Sequence, residues 1–468
     1  MNAMRHFSFA PRAASARRRA AAVAFAIAVI FAAHPATHRA GETPAPAIML
    51  CNQPASEYKT RRVRLLEQVR DGVVILQGNV EESLGVNEKF HQNENFLYLT
   101  GIETPGAVII LTPFGYQGKR SLLFLPRRNP QTERWTGPQI GPDDEEAKAF
   151  GFDATFPTSE LARVLREMNG EEFAKRGGKV YVADALSLAT PRDRDFADKI
   201  QQAFPKAPVS DVRPVIHEMR KVKSGSEIVL LQKAVDITGE AQRDVAKALA
   251  PGKYEYEMEA LILAAFFRNG AERVGFPCIV GSGMNATTLH YNRNRKRIES
   301  GDLVVVDIGA EYSGYTADIT RTYPANGKFT ARQREIYQLV LDAQTAAAAA
   351  FVPGKTTMND LNLVVRDFFH ASKLRAGNNL TMDAFFLHGL GHYIGLYVHD
   401  VGGYGGPLPV GAVITIEPGL YVPGEKIGVR IEDDYLVTEK GLVKLSKDIP
   451  SDPDEIERLL SEASRRAS

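Results

Sequence analysis

The chain has 468 residues, 44% hydrophobic and 24% charged, a composition that predicts two to three globular domains with an ample core. Its formal charge of +1 conceals an asymmetry: residues 1–40 carry six Arg, no Lys and no acid, and the remainder holds 51 basic and 56 acidic residues, a formal −5. A mildly acidic body offers nucleic acid no electrostatic footprint, and two cysteines, Cys51 and Cys278, make no disulfide framework.

The front end reads as an export signal. Arg17-Arg18-Arg19 precedes fourteen consecutive apolar residues, 20–33. As a helix that run spans roughly 21 Å, short of the ~30 Å of hydrocarbon that a spanning helix must cross. Residues 1–40 therefore match a secretory signal, implying a periplasmic or secreted protein, with cytoplasmic residence as the alternative. Ala45-Pro46-Ala47 and a position near Ala40 both suit cleavage, and an uncleaved anchor is the other reading. Paired arginines hint at twin-arginine export, without the rest of that motif. No other run is long enough to span a membrane, so the mature form is expected to have no stable span.

Residues 41–56, rich in Pro and Ala, read as a linker. A helix is predicted over 57–69. Apolar β-type runs follow at 73–76, 96–99, 107–111 and 121–125, bounded by Gly, Pro or Asn. A helix over 159–168 and a strand over 179–182 complete an alternation that predicts an α/β domain over 57–215. Residues 129–142 hold the only Trp, Trp135, and read as an exposed loop. Cys278, in Phe276-Pro-Cys-Ile-Val, reads as a buried small hydrophobe.

A second domain, 224–447, opens with a capping box, Ser224 and Glu227. The first helix stops at Ala250-Pro-Gly, and a second runs from about Tyr254 to Asn269-Gly270. Thr330 and Gln333 form another capping box, opening an Ala-rich helix that stops at Val352-Pro-Gly. Residues 448–468 are expected to form a C-terminal helix or tail. Here the chain repeats itself at an offset of 102 residues. Pro251-Gly-Lys253 returns as Pro353-Gly-Lys355, Phe266-Phe267 as Phe368-Phe369, and His290 as His392. After each histidine comes a strand pair with two acids: Asp307 and Asp318, then Glu417 and Glu432. This predicts a tandem duplication whose pseudo-twofold axis gathers the four acids, and not a solenoid.

Counting by twos places each acid on one face of an apolar strand. Leu303, Val305 and Asp307 share a face, as do Thr316, Asp318 and Thr320; so do Val413, Thr415 and Glu417, and Arg430 with Glu432. A charge there is costly unless it is paired or bound to a metal. Singly, each acid suits a strand cap or a pair with Arg321, Lys426 or Arg430. Together with His392 they form an oxygen-rich set with one nitrogen, suited to Mn²⁺, Co²⁺ or Zn²⁺. Four carboxylates exceed the need of one ion, which favours two ions sharing ligands.

The set Asp307, Asp318, His392, Glu417 and Glu432 resembles the five metal ligands of the pita-bread metallopeptidases. The flanking text His388-Gly-Leu-Gly-His392, Val398-His399-Asp400-Val-Gly and Arg430-Ile-Glu432-Asp is similar to the proline-specific branch, aminopeptidase P and prolidase. Gln92-Asn-Glu-Asn-Phe96-Leu-Tyr-Leu-Thr-Gly101 resembles the signature of the aminopeptidase P N-terminal domain. The resemblance covers about 57–460. It implies an α/β (α+β) chain, a creatinase-like N-terminal domain followed by a pita-bread domain. It implies two divalent ions, Mn²⁺ first with Co²⁺ or Zn²⁺ as alternatives. Asp318 and Glu432 would bridge them, and His392 and Glu417 would share one. Glu417 would also act as the base, His290 and His399 would face the substrate beside Arg430, and His388 would lie in the pocket. The implied activity is removal of the N-terminal residue from peptides with proline second, by metal-activated hydroxide, in a homo-oligomer (dimer or tetramer). Prolidase action on dipeptides is the alternative, and a non-catalytic binding protein a further one. Residues 402–417 are shorter than in many relatives and lack an arginine often found there, which leaves the preferred peptide length open. Gly402-Gly-Tyr-Gly-Gly lacks a following Gly-Lys-Ser/Thr, so no nucleotide is expected.

Overall fold

The computed structural model describes residues 49–80, 89–183, 191–377 and 379–467; the expected signal and its cleavage sites lie outside them. Six strands form the front sheet: β1 (Gly72–Gln77), β2 (Val108–Tyr116), β3 (Lys119–Leu125), β4 (Ala154–Pro157), β5 (Lys179–Val182) and β6 (Val209–Asp211). Their order is β4-β3-β2-β1-β5-β6. The β1–β2 and β2–β3 pairs are antiparallel, and the other three are parallel. The β1 sequence is apolar on both faces because both are covered. Val73 and Ile75 pack with Leu165 and Ile200 on one side; Val74 and Leu76 pack with Leu65 and Phe96 on the other. That second side belongs to helices α1 (Ala55–Gln68) and α2 (Glu94–Thr100), and its core continues into the rear domain through Tyr315, Ile319 and Ile394.

Three local expectations change. Met49–Leu50 pairs with Gln53–Pro54 and α1 starts at Ala55, so part of the stretch read as linker is regular structure. Residues 96–99 are helix, not strand. Four apolar residues in a row cannot separate a buried helix from a buried strand; the flanking groups decide. The Asn93 side chain accepts from Phe96 N, and Gly101 closes the helix at φ 65°. Trp135 sits in a short helix, Pro130–Thr136, started by the Asn129 cap and the proline at its first position. It is 91% exposed.

A connector helix, α3 (Arg213–Lys221), leads to the rear domain. Both expected capping boxes are present, opening α4 (Gly225–Ala248) and α6 (Ala331–Ala350). α4 packs on α5 (Glu255–Arg268), and α6 on α7 (Met358–Ala371). Each pair backs a set of strands. β7 (Ile279–Ser282), β8 (Leu303–Ile308) and β9 (Ile319–Pro324) form one sheet in that order. β10 (Val413–Ile416), β13 (Asp433–Thr438) and β14 (Gly441–Lys444) form another, ordered β10-β13-β14, while β11 (Gly419–Val422) pairs with β12 (Ile427–Arg430). The halves join where Glu432 N donates to Thr320 O at 3.2 Å and Thr322 Oγ1 donates to Arg430 O at 2.9 Å. α8 (Pro453–Ala467) closes the chain. Among the described residues no helix is long and apolar enough to cross a membrane.

The duplication extends to one buried polar pair. Gln242 on α4 and Gln344 on α6 also stand 102 residues apart. Gln242 Nε2 donates to Val306 O at 3.1 Å and Ile319 O at 3.0 Å. Gln344 Nε2 donates to Ile416 O at 2.9 Å and Ile431 O at 3.2 Å. Each of those four carbonyls belongs to the residue beside one of the four acids, so each amide staples two acid-bearing strands.

Candidate metal centre

The four acids and His392 converge between the halves. Asp307, Asp318, His392 and Glu432 are 6%, 5%, 8% and 2% exposed, and Glu417 is half-buried. Backbone bonds set His392 against β10: Thr415 N donates to His392 O at 2.9 Å and Glu417 N to Leu390 O at 2.8 Å. The approach requires glycine before the histidine, because a Cβ on Gly391 would lie 2.1 Å from Thr415 O. His392 Nε2 stands 3.4 Å from Asp318 Oδ2 and 3.6 Å from Glu417 Oε1. Its Nδ1 lies 3.1 Å from Tyr393 O. A carbonyl only accepts, so Nδ1 carries the proton and Nε2 presents its lone pair, the arrangement of a metal-ligating histidine.

The acids are left partly unsatisfied. Asp307 Oδ2 accepts from Arg430 Nη2 at 2.6 Å, and Glu432 Oε2 from Thr320 Oγ1 at 2.7 Å. Yet Asp307 Oδ1, Asp318 Oδ1 and Glu432 Oε1 are buried without a hydrogen-bond partner. Orphaned carboxylate oxygens are expensive in a protein interior. Burial, then the charges of Glu432, Asp307 and Glu417, pushes Asp318 well above the usual carboxylate range. Burial, with Glu417 and Asp307, does the same to Glu432. Burial lifts Glu417 to about 8, although Arg430 opposes it. Burial, then His399, lowers His392 to about 4, leaving it in the neutral, ligating form. Cations would relieve all of this at once. Ligand atoms of Asp318, His392 and Glu432 lie within 4.8 Å of one another, the one such cluster among the described residues. The donor set fits hard or borderline divalent ions.

A cavity of about 510 Å³ opens over the centre, with Phe276, Pro277, Ile279 and Leu289 on its apolar wall and His290, His399, Tyr397 and Tyr404 on its polar side. His290 and His399 are both solvent-exposed. The His399 ring lies 4.3 Å from that of His392, and burial, then His290, lowers its pKa. His388 also lines the cavity, but both its nitrogens are engaged: Nδ1 with Gly389 O and Nε2 with Tyr421 OH, each at 2.8 Å. Nδ1 must donate to the carbonyl, so Nε2 accepts from the tyrosine. Arg430 borders the same space with its guanidinium committed to Asp307, to Tyr421 OH at 2.8 Å and to Thr320 Oγ1 at 3.2 Å. The pairing considered for Arg430 is thus real and leaves Asp307 one free oxygen, whereas Arg321 pairs with Asp433 at 2.7 Å. Sequence reasoning missed Tyr421, Gln242 and Gln344. The glutamines carried a readable signal, the 102-residue offset; the tyrosine carried none.

A duplicated rear domain with a carboxylate-rich centre, behind an α/β front domain, defines a two-domain metallopeptidase of the pita-bread type. Residues 229–439 match metallopeptidase family M24, and residues 58–174 match the aminopeptidase P N-terminal domain. The chain is 35% identical over 437 residues to Xaa-Pro aminopeptidase of Escherichia coli (strain K12), covering 88% of this chain and 98% of that one. It is 32% identical over 450 residues to Xaa-Pro aminopeptidase 3 of Mus musculus, covering 87% and 86%. A solved variant of Escherichia coli aminopeptidase P in complex with substrate superposes with a TM-score of 0.79 at 34% identity, covering 88% and 99%. Proline aminopeptidase P II from Yersinia pestis gives 0.78 at 34% identity, covering 88% and 100%. The chain belongs to metallopeptidase family M24, in its aminopeptidase P branch, and the α/β (α+β) architecture expected from its motifs is borne out.

Proposed function

We propose that this chain is a dinuclear-metal aminopeptidase that removes the N-terminal residue from peptides with proline at the second position. The observation that carries the reading is the set of buried, orphaned carboxylate oxygens beside a neutral histidine, at the floor of a cavity with one apolar wall. Relatives named for Xaa-Pro aminopeptidase activity match the chain over both domains. Asp307, Asp318, His392, Glu417 and Glu432 would hold the ions, Mn²⁺ first and Co²⁺ or Zn²⁺ as alternatives. When bound, the ions supply an activated water and polarise the scissile carbonyl.

The chain's own groups would do the rest. Glu417, directly after β10, would serve as the base that takes and returns the water's proton. His399 and His290 present donors to the carbonyl as charge develops on it. Arg430 fixes one oxygen of Asp307 through its 2.6 Å bond, and the Arg430–Tyr421–His388 chain steadies the pocket behind Glu417, whose Oε2 lies 3.7 Å from His388 Nδ1. The wall of Phe276, Pro277, Ile279 and Leu289 suits a pyrrolidine ring. Proline has no amide proton, so a site that grips the ring replaces the backbone bond that ordinary peptidases use.

The reading also includes a front domain over 57–215, a catalytic domain over 224–447, export by the signal at 1–40, and a homo-oligomer. The deciding experiment strips the metal and adds back Mn²⁺, Co²⁺ or Zn²⁺ with Xaa-Pro and Xaa-Pro-Xaa peptides as substrates. Cleavage of the tripeptide supports the proposal. Cleavage of the dipeptide alone makes the protein a prolidase, and no cleavage with metal bound makes it a binding protein.

A further inference from the structure

Among the buried charge clusters outside the metal centre is one around Asp400, and none of the chemistry above uses it. Asp400, Arg220 and Lys223 are 7%, 4% and 5% exposed. Asp400 Oδ1 accepts from Arg220 Nη2 at 2.5 Å, and Oδ2 accepts from Lys223 Nζ at 3.2 Å. Arg220 Nη1 reaches on to Asn95 Oδ1 at 2.7 Å. Arg220 belongs to the connector helix α3 and Asn95 to α2 of the front domain. The cluster therefore ties two separate parts of the chain, α2 and the 220–223 segment, to the residue that follows His399. Burial works against an ionised Asp400, but Lys223 and Arg220 outweigh it and hold the carboxyl below the usual range.

The segment from His392 to Asp400 is folded around this carboxylate. Asp400 N donates to Tyr393 O at 2.8 Å, closing the loop that leaves the metal ligand and returns with His399. Inside the loop, a Cβ on Gly395 would lie 2.1 Å from Asp400 Oδ2. Val398 and His399 line the cavity, and the next residue is the peg. A buried ion cluster of this kind contributes little net stability, since desolvation offsets attraction; its established use is to specify one arrangement over others.

We propose that Asp400 is a positioning residue for His399: anchored by Arg220 and Lys223, it lets the docked front domain set where His399 stands over the cavity. The inference rests on the reading of His399 as a donor to the substrate.

The test is a double-mutant cycle on an Xaa-Pro-Xaa peptide, with the metal content of each variant measured. His399→Ala alone tests the reading of His399. Asp400→Asn keeps the shape and removes the charge; it should keep its metal and lower kcat at least about tenfold, with a smaller change in KM. In the double variant kcat should be no lower than in His399→Ala, because a positioning residue has nothing left to position. Arg220→Gln, which leaves Lys223 on Asp400, should show a smaller loss that likewise vanishes on the His399→Ala background, and it serves if Asp400→Asn does not fold. If His399→Ala leaves kcat unchanged, the reading of His399 falls and the proposal with it. If His399→Ala is impaired but the losses multiply in the double variant, or Asp400→Asn sheds metal or keeps full kcat, the proposal alone is overturned.

Discussion

Replacing Gln344 by leucine probes how the helices hold the metal centre. The substitution keeps bulk in a fully packed site and deletes an amide whose two Nε2 protons are shared among Ile416 O at 2.9 Å, Ile431 O at 3.2 Å and Asp433 Oδ2 at 3.0 Å. Asp433 keeps Arg321 and Lys444. Ile416 and Ile431 lose the amide that holds β10 and the end of β12 at a fixed separation. At about 1 kcal/mol net for each proton donated, the metal-free protein should lose about 2 kcal/mol of stability. Glu417 and Glu432 are the next residues along those strands, so metal affinity should fall about 10–100-fold, the scale for groups that orient ligands. Urea unfolding of the metal-free protein reads the first quantity, and competition against a chelator of known affinity reads the second. Gln242→Leu should weaken binding in the same way through Asp307 and Asp318. A variant that loses the stability but binds metal as tightly as the parent would show that the glutamines only fasten helix to sheet.

Other outcomes follow from the same geometry. Asp318→Asn or Glu432→Gln should lower metal occupancy and the thermal stability of the loaded protein, because two cations would face each other with less compensation; unchanged occupancy by elemental analysis places these acids outside the centre. In the metal-free protein Asp318, Glu417 and Glu432 retain protons to higher pH than free carboxyls, so loading at pH 7 should release protons and affinity should rise with pH. The contribution of these raised acids to metal-free stability is present at low pH and is lost as pH rises, for Glu417 through about 8. Calorimetry in two buffers of different ionisation heat measures the release, and none at pH 7 would contradict the assignment. His399→Ala should retain metal and lower kcat by about 10²–10³-fold with a smaller change in KM; a near-normal kcat in steady-state assays removes His399 from the chemistry.

The convergence of the four acids was legible because each acid broke an apolar, period-two strand, and because the 102-residue repeat doubled the pattern. The rear helices were legible from Ser224 with Glu227 and from Thr330 with Gln333, caps that work locally. Residues 96–99 misled because Phe-Leu-Tyr-Leu is apolar whatever it forms; only Asn93 and Gly101 at its ends distinguish a helix, and the core around it permits burial on every side. The roles of Arg430 and His388 were less readable. Their nitrogens are shared among Asp307, Tyr421 and Gly389, and Tyr421 reaches them through the β11–β12 pairing, which sequence spacing does not report. Asp400 follows His399 directly in the chain, yet its oxygens meet Arg220 and Lys223 from 180 and 177 residues upstream. A partner that distant in the chain leaves no local trace.

The apolar side of the front sheet has a bearing on how a peptide enters. Leu65 and Phe96 share one continuous core with Tyr315, Ile319 and Ile394 of the rear domain, and those three are 1%, 0% and 0% exposed. Parting the domains would return such side chains to water at roughly 1.5–3 kcal/mol each. A clamshell motion about α3 is therefore too costly to serve as a gate within a catalytic cycle. Substrate traffic must pass through the mouth of the cavity, where Tyr397 and Tyr404 stand half in solvent at 51% and 49% exposure. The selectivity of entry thus belongs to a fixed opening, filtered by the width and stickiness of its rim.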